Sequence, residues 1–292
     1  MPFAAGSPMT AAPAGQAGVV RALVLSCHPL PTVAVTAISA GLAALAGLSL
    51  GRGALVVAAV FAGQLSIGWS NDAIDAARDR ATARSDKPVA TGAVSPRVVG
   101  VAAGTALVLA VVLSLSLGWW PGLASLTVVA CGWLYNLGLK ATVFSFLPYA
   151  IAFGMLPAVA TLALPDPTWP APWAMAAGAL FGVSAHLANV LPDLDDDIGT
   201  GVRGLPHRIG ARATAVACPV LLGAASLVIL GGTSGADSGG WRWIAAAALL
   251  VLIAAGVTVG MRNPRSKALF MIVMAAAVTA VALFAASGQA LT

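Results

Sequence analysis

The chain has 292 residues, of which 59% are hydrophobic and only 9% charged, with a net charge of +5 and a mean hydropathy of +0.93. A soluble domain carries about 25% charged residues, so this composition excludes a soluble globule, a disordered chain and a coiled coil. It leaves an all-α polytopic membrane protein, whose main solvent is the lipid bilayer. The positive charge is spread over short loops and forms no basic face, which argues against a nucleic-acid partner. Three cysteines, Cys27, Cys131 and Cys218, stand far apart in apolar stretches and read as buried structural thiols.

Residues 1–22 are rich in Ala, Gly and Pro, lack the basic start of a signal peptide, and read as a flexible tail. Apolar runs close to the roughly 20 residues needed to cross a bilayer follow. They fall near 23–47, 54–74, 98–118, 121–139, 143–164, 173–192, 212–231, 243–260 and 268–287, giving nine expected transmembrane helices in one domain over 23–292. With a cytoplasmic N-terminus, all of the 15 basic residues except Arg52 and Arg242 face the cytoplasm, as the positive-inside rule prefers. Trp119, Trp120, Trp169, Trp173, Trp241 and Trp243 then gather at the outer ends of spans as an aromatic belt. This topology places Ser85 and Thr200 in cytoplasmic loops, Ser234 in an outer loop and the C-terminus outside, in an integral protein of the cell membrane.

The acidic residues are distributed unevenly. There is no glutamate, and eight of the ten aspartates form two clusters at the cytoplasmic ends of the second and sixth spans: Asp72, Asp75, Asp79 and Asp86, then Asp193, Asp195, Asp196 and Asp197. Both clusters contain N-x3-D-x3-D, as Asn71, Asp75, Asp79 and as Asn189, Asp193, Asp197. Residues at i, i+4 and i+8 line one helix face, so each helix end is expected to present an amide and two carboxylates in a row, with Pro192 liable to bend the second. Like charges at this spacing repel, and a divalent cation relieves the repulsion. Oxygen ligands without His or Cys suit Mg²⁺, which takes one or two carboxylates, waters and substrate phosphates. Arg78, Arg80, Arg84 and Lys87 follow the first cluster, and Arg203, His207 and Arg208 the second. These cations either neutralise phosphate or merely obey the positive-inside rule. Asp86, Asp195 and Asp196 read as solvated caps.

Asn71-Asp72-x-x-Asp75-x-x-x-Asp79, followed by Arg84, Lys87-Pro88 and Gly92, resembles the first signature of the UbiA-type intramembrane prenyltransferase superfamily. Asp193-x-x-x-Asp197, with Gly199, Leu205-Pro206 and Ile209-Gly210, resembles the second, and Tyr135 with Lys140 resembles that family's short Tyr/Lys element. The resemblance implies a helical bundle around a large central cavity, capped on the cytoplasmic side. It implies metal ligation by Asn71, Asp75, Asp79, Asp193 and Asp197, and catalytic roles for these four aspartates. Asn71, Asp72, Arg84, Lys87, Tyr135, Lys140, Asn189 and Arg203 are then candidates for binding a prenyl diphosphate. Ionisation of the allylic C–O bond would give a carbocation, with the faces of Tyr135 and Trp69 either stabilising it or serving only as interfacial anchors, for capture by a hydrophobic, aromatic acceptor of unspecified identity. His28 is either an acceptor base or a helix-end histidine at the interface, and His186 faces the same choice. Two alternatives stand beside this reading: a membrane terpene cyclase, which needs no acceptor, and a transporter using its carboxylates.

Overall fold

The computed structural model describes residues 16–233, 240–286 and 291–292. The first fifteen residues of the expected tail, and the outer-loop residues Ser234 and Asp237, lie outside the described residues. Helical structure begins at Gln16, inside the segment read as a tail: α1 spans Gln16–Ser26 and α2 Pro29–Leu45. They are followed by α3 (Leu50–Ala81), α4 (Pro96–Ser116), α5 (Trp119–Leu137), α6 (Leu147–Thr161), α7 (Pro172–Val190), the short α8 (Leu194–Gly199) and α9 (Leu205–Ile209), then α10 (Ala211–Gly232), α11 (Trp241–Arg262) and α12 (Lys267–Ala286). No strand occurs among the described residues.

The helix ends follow local chemistry. Pro29, Pro96 and Pro172 open α2, α4 and α7, where a missing N–H costs nothing. Ser95 caps α4 by accepting the Val98 N–H. Gly47 and Gly138, both with positive φ, end α2 and α5 in turns that other residues enter only with strain. α3 has 32 residues. At ~1.5 Å per residue it is about 48 Å long, against a hydrocarbon layer of about 30 Å. It exceeds the apolar layer in length, and its last turns carry the charged segment Asn71 to Asp79.

Small residues set the helix spacing. A Cβ on Gly178 would stand 2.5 Å from the Phe153 carbonyl oxygen, and one on Gly182 would collide with the Tyr149 carbonyl, so α6 and α7 pack backbone to backbone. The main core joins α2, α3, α6, α7, α10 and α12 through residues such as Ile38, Val56, Leu156, Phe181, Leu222 and Val273. At the end remote from the aspartates, Arg52 donates to the carbonyls of Ala163 and Leu117, both at 2.7 Å, and satisfies chain ends that have no helical partner. All three cysteines are free and buried.

The number of spans departs from expectation. Five helices (α3, α4, α7 with its continuation to Gly199, α10 and residues 243–262 of α11) are long and apolar enough to cross a membrane, and a sixth span exists if the pair α1–α2, bent by 63°, is one. α6 and residues 267–282 of α12 are apolar but shorter, so length and composition alone do not give nine. The second aspartate motif also differs. α7 stops at Val190, a 3-10 turn covers Leu191–Asp193, and α8 resumes at Leu194. Pro192 has no N–H for the carbonyl four residues back, so the straight helical row realised in α3 is broken here.

Candidate active site

The charged end of α3 forms one wall of the site. Asn71 Nδ2 donates to Asp75 Oδ2 at 3.3 Å, as the i, i+4 spacing requires, and to Asn136 Oδ1 at 3.1 Å. Asn136, at the end of α5, donates in turn to the Ile67 carbonyl and the Ser70 hydroxyl, both at 2.9 Å, and so fixes α5 against α3. The turn at Gly138 directs the next residues across the site. Lys140 Nζ reaches Asp75 Oδ1 at 2.5 Å and Oδ2 at 2.6 Å, while Arg78 Nη2 donates to Oδ2 at 2.7 Å. Burial lowers the Lys140 ammonium below its ordinary pKa, and the Asp75 carboxylate opposes that shift.

The loop after α3 folds back over the same face. Lys87 Nζ lies 2.6 Å from Asp72 Oδ1, 3.3 Å from Asn71 Oδ1 and 3.6 Å from Asp79 Oδ2. Asp72 is 1% exposed, so its charge depends on these partners. His28 supplies another. It sits at the bend between α1 and α2 with φ of 55°, and its Nε2 lies 2.9 Å from Asp72 Oδ1. A left-handed residue with a side chain is strained, and this one points into the site.

Arg84 joins the two clusters. It donates to Asp86 at 3.0 and 3.1 Å and lies 3.2 Å from Asp193 Oδ1. The carboxylate partners raise the Arg84 pKa, and the guanidinium holds Asp86 well below the usual carboxylate range. Asp197 Oδ2 faces His207 Nε2 at 3.3 Å. Asp195 pairs with Arg265 at the surface, as a solvated residue would, but Asp86 lines the cavity and also approaches Lys267 at 3.5 Å.

These groups surround one cavity of about 520 Å³. Its polar end is walled by Asn71, Asp72, Asp75, Asp79, Arg84, Lys87, Lys140, Asn189, Asp193 and Asp197, with Tyr135 at the transition to an apolar floor of Val35, Val128, Phe153 and Leu156. Arg203 is exposed and outside this lining, so its side chain does not join the site. Trp69 is also absent from the lining; it donates to the Leu23 carbonyl at 2.8 Å and anchors α1 on α3. His186 is fully buried behind the site. Its ring meets Tyr135 and Tyr149 at 5.7 and 5.1 Å, and its Nε2 contacts Ser145 Oγ, which accepts the Leu205 N–H. His186 therefore braces the segment after α8 and does not face the cavity.

Asn136 and Tyr149 were not singled out from the sequence, and Arg78 was read only as a phosphate partner or a positive-inside residue, not as a partner of Asp75. Arg78 had a usable signal, three residues after Asp75 on the same helix. Asn136 and Tyr149 had weaker ones: an amide closing an apolar helix and the second of only two tyrosines.

Among the described residues no three His, Cys or Asp side chains stand close enough to hold a metal by themselves. The donor set nevertheless fits Mg²⁺, which needs only one or two carboxylates when phosphate and water complete its shell. Asp79 Oδ2 is buried without a hydrogen-bond donor, an acceptor available to a cation. Asp75 and Asp193 are held more closely by Lys140 with Arg78 and by Arg84, whereas Lys87 stands 3.6 Å from Asp79 Oδ2.

The site thus joins two carboxylate clusters, with cations of the chain among them, to one apolar cavity in an all-helical bundle. The chain matches the UbiA prenyltransferase family over residues 30–277, and it belongs to that family. Solved structures share the fold. A UbiA homologue from Aeropyrum pernix K1, in its apo form, superposes with a TM-score of 0.73 at 20% identity, covering 87% of this chain and 96% of that one. A homologue from Archaeoglobus fulgidus bound to GPP and Mg²⁺ gives 0.63 at 14% identity, covering 91% and 98%. A structure of digeranylgeranylglyceryl phosphate synthase gives 0.63 at 16% identity, covering 92% and 98%. No significant match is found among curated protein sequences.

Proposed function

We propose that the chain is a Mg²⁺-dependent intramembrane prenyltransferase, which moves a prenyl group from a prenyl diphosphate to a hydrophobic, aromatic acceptor. The observation that carries this reading is the single cavity, polar with paired carboxylates and cations at one end and apolar at the other. The Archaeoglobus fulgidus homologue bound to GPP and Mg²⁺ supports the same ligands here. Asn71, Asp75, Asp79, Asp193 and Asp197 would hold Mg²⁺, whose chemistry is to neutralise charge on the diphosphate oxygens. Lys140, Lys87 and Arg84 already stand against these carboxylates and are placed to pass to phosphate oxygens, stabilising the departing diphosphate. Tyr135, set edge-on to Tyr149 at 5.2 Å, places an aromatic group at the border where an allylic cation would form. The apolar floor excludes water that would quench that cation.

The decisive assay incubates the purified protein with prenyl diphosphates of several lengths, Mg²⁺ and candidate phenolic or quinone-precursor acceptors, scoring diphosphate release and products. Acceptor-stimulated release supports the transferase. Full-rate formation of a cyclic hydrocarbon or alcohol without acceptor establishes the cyclase instead, and flux without turnover a transporter.

The His28–Asp72 contact favours an acceptor. Asp72 holds Nε2 and leaves Nδ1 free to take the acceptor proton. We expect His28→Ala to raise the acceptor KM or lower acceptor-dependent kcat about tenfold or more, with donor binding little changed. Equal loss of donor binding would remove this role.

We further propose that all nine apolar segments of the single domain 23–292 cross the cell membrane, with the N-terminus and both aspartate clusters cytoplasmic and the C-terminus outside. The charge asymmetry supports it. In a variant lacking native cysteines, a cysteine at exposed Ser85 should react with an impermeant thiol reagent from the cytoplasm, and one at exposed Thr168 from outside. Reaction of both from one side would refute this topology.

A further inference from the structure

The floor of the cavity is shared. Phe153 and Leu156 of α6 close the upper chamber, and the same two side chains form the roof of a second pocket of about 70 Å³. This pocket lies deeper in the bundle, between α2, α6, α7 and α12, and is walled by Ile38, Leu42, Ala177, Phe181, Ala280 and Phe284. Among its described lining residues none is charged, and the only polar group is the indole of Trp173. Such a space does not hold water well, because water needs two or more polar partners. A void of this kind also weakens packing, since its lining loses contact partners.

The partition between the chambers has one rigid part and one adjustable part. Leu156 is 3% exposed and set in the main core. Phe153 is only partly buried and lies parallel to Tyr149, with ring centroids 6.4 Å apart. The helix beneath it has no freedom to shift, because Gly178 packs directly on the Phe153 carbonyl. Rotation of the Phe153 ring about its side-chain torsions is therefore the available way to join the two chambers.

We propose that the deep pocket is a second isoprenoid subsite, entered past Phe153, which takes the distal units of donors too long for the upper cavity. Phe153 then sets donor chain-length preference. The inference rests on the prenyl diphosphate reading above. It commits to the donor tail because any ligand reaching the pocket through this partition must also run up to the carboxylate and lysine end, where a diphosphate belongs. The competing route for a long tail is sideways between helices into lipid, and that route would leave the deep pocket without influence on turnover.

The test compares geranyl and geranylgeranyl diphosphates as competing donors for the purified protein, its Phe153→Ala variant, its Ala177→Leu variant and the double variant. Ala177 is buried at 4% exposure and lines the deep pocket alone, so leucine there fills it. Phe153→Ala should raise the C20-to-C10 ratio of kcat/KM about tenfold, the discrimination that a few methylenes in an apolar pocket supply. Ala177→Leu should cancel that gain in the double variant while C10 turnover stays within about twofold of the unmodified protein. C10 turnover also reports folding, and Ala280→Val, a smaller intrusion into the same pocket, replaces Ala177→Leu if that variant loses C10 turnover. An unchanged ratio in Phe153→Ala, or a raised ratio that deep-pocket filling leaves intact, overturns the subsite and supports the lateral route. Absence of turnover of every donor by the unmodified protein removes the prenyl diphosphate reading and this inference with it.

Discussion

Asp75→Ala and Asp193→Ala should each lower kcat/KM by about 10²-fold or more, the scale of removing one preorganised electrostatic group from a catalytic site, while the proteins still insert and fold. Asp75 is the most heavily engaged carboxylate, held by Asn71, Arg78 and Lys140 within 3.3 Å. Its loss would remove a proposed metal ligand and leave Lys140 and Arg78 repelling one another. Asp193 sits on the opposite cluster and touches Arg84, so its loss would open the other side of the proposed diphosphate site. Asp75→Asn keeps the shape and removes the charge, and should fail nearly as badly if charge is what matters. Chelation of divalent ions should stop turnover, and Mg²⁺ should restore it. Full activity in the Asp75→Ala/Asp193→Ala double variant would defeat the site assignment, and turnover unaffected by chelation would defeat the metal requirement.

Lys87→Met should damage stability as well as activity. The ammonium is 13% exposed and lies within ion-pairing distance of two carboxylates, Asp72 and Asp79, that are 1% and 5% exposed. Removing one partner of a buried pair strands the other charge and costs about 3 kcal/mol or more. Here His28 still contacts Asp72, so the stranded group of consequence is Asp79, whose Oδ2 has no hydrogen-bond donor. The measurement is thermal unfolding in detergent. Adding Asp79→Asn to Lys87→Met should recover part of the lost stability, because the cycle then removes the uncompensated charge. Activity should stay low in both variants, since Lys87 is also a proposed partner of the diphosphate. An unfolding temperature for Lys87→Met equal to that of the unmodified protein would show that the pair has no structural weight.

The membrane class, the helical architecture and the location of the site were legible in the residues alone. The reason is physical: in a chain with only 9% charged residues, eight of ten aspartates gathered in two clusters that share one spacing stand out from the rest of the sequence. Helical periodicity then placed Asn71, Asp75 and Asp79 in a row without reference to any other part of the chain, and α3 realises that row. The span count was less accessible, because hydropathy measures composition and not the length of unbroken helix. α6, with 15 residues, is shorter than the run over 143–164 that suggested it.

Tertiary structure decided the partners. Sequence placed Arg84, Lys87, Lys140 and Arg203 near the clusters on equal terms. Three of them reach the cavity, and the chain path leaves Arg203 at the surface. Pro192 hinted at a bend, but only the fold showed that a 3-10 turn and a second short helix bring Asp193 to Arg84 and Asp197 to His207. Trp69 and His186 were indistinguishable from cavity residues by position, and both turned out to brace helices, through the Leu23 carbonyl and Ser145. His28 went the other way: Pro29 and Pro31 mark a helix break beside it, but its contact with Asp72 spans 44 residues, and local sequence does not give the direction of the 63° bend that makes it. Local spacing determines which groups share a helix face, whereas the pairing of faces, and hence the neutralisation of each buried charge, is set by how distant helices pack.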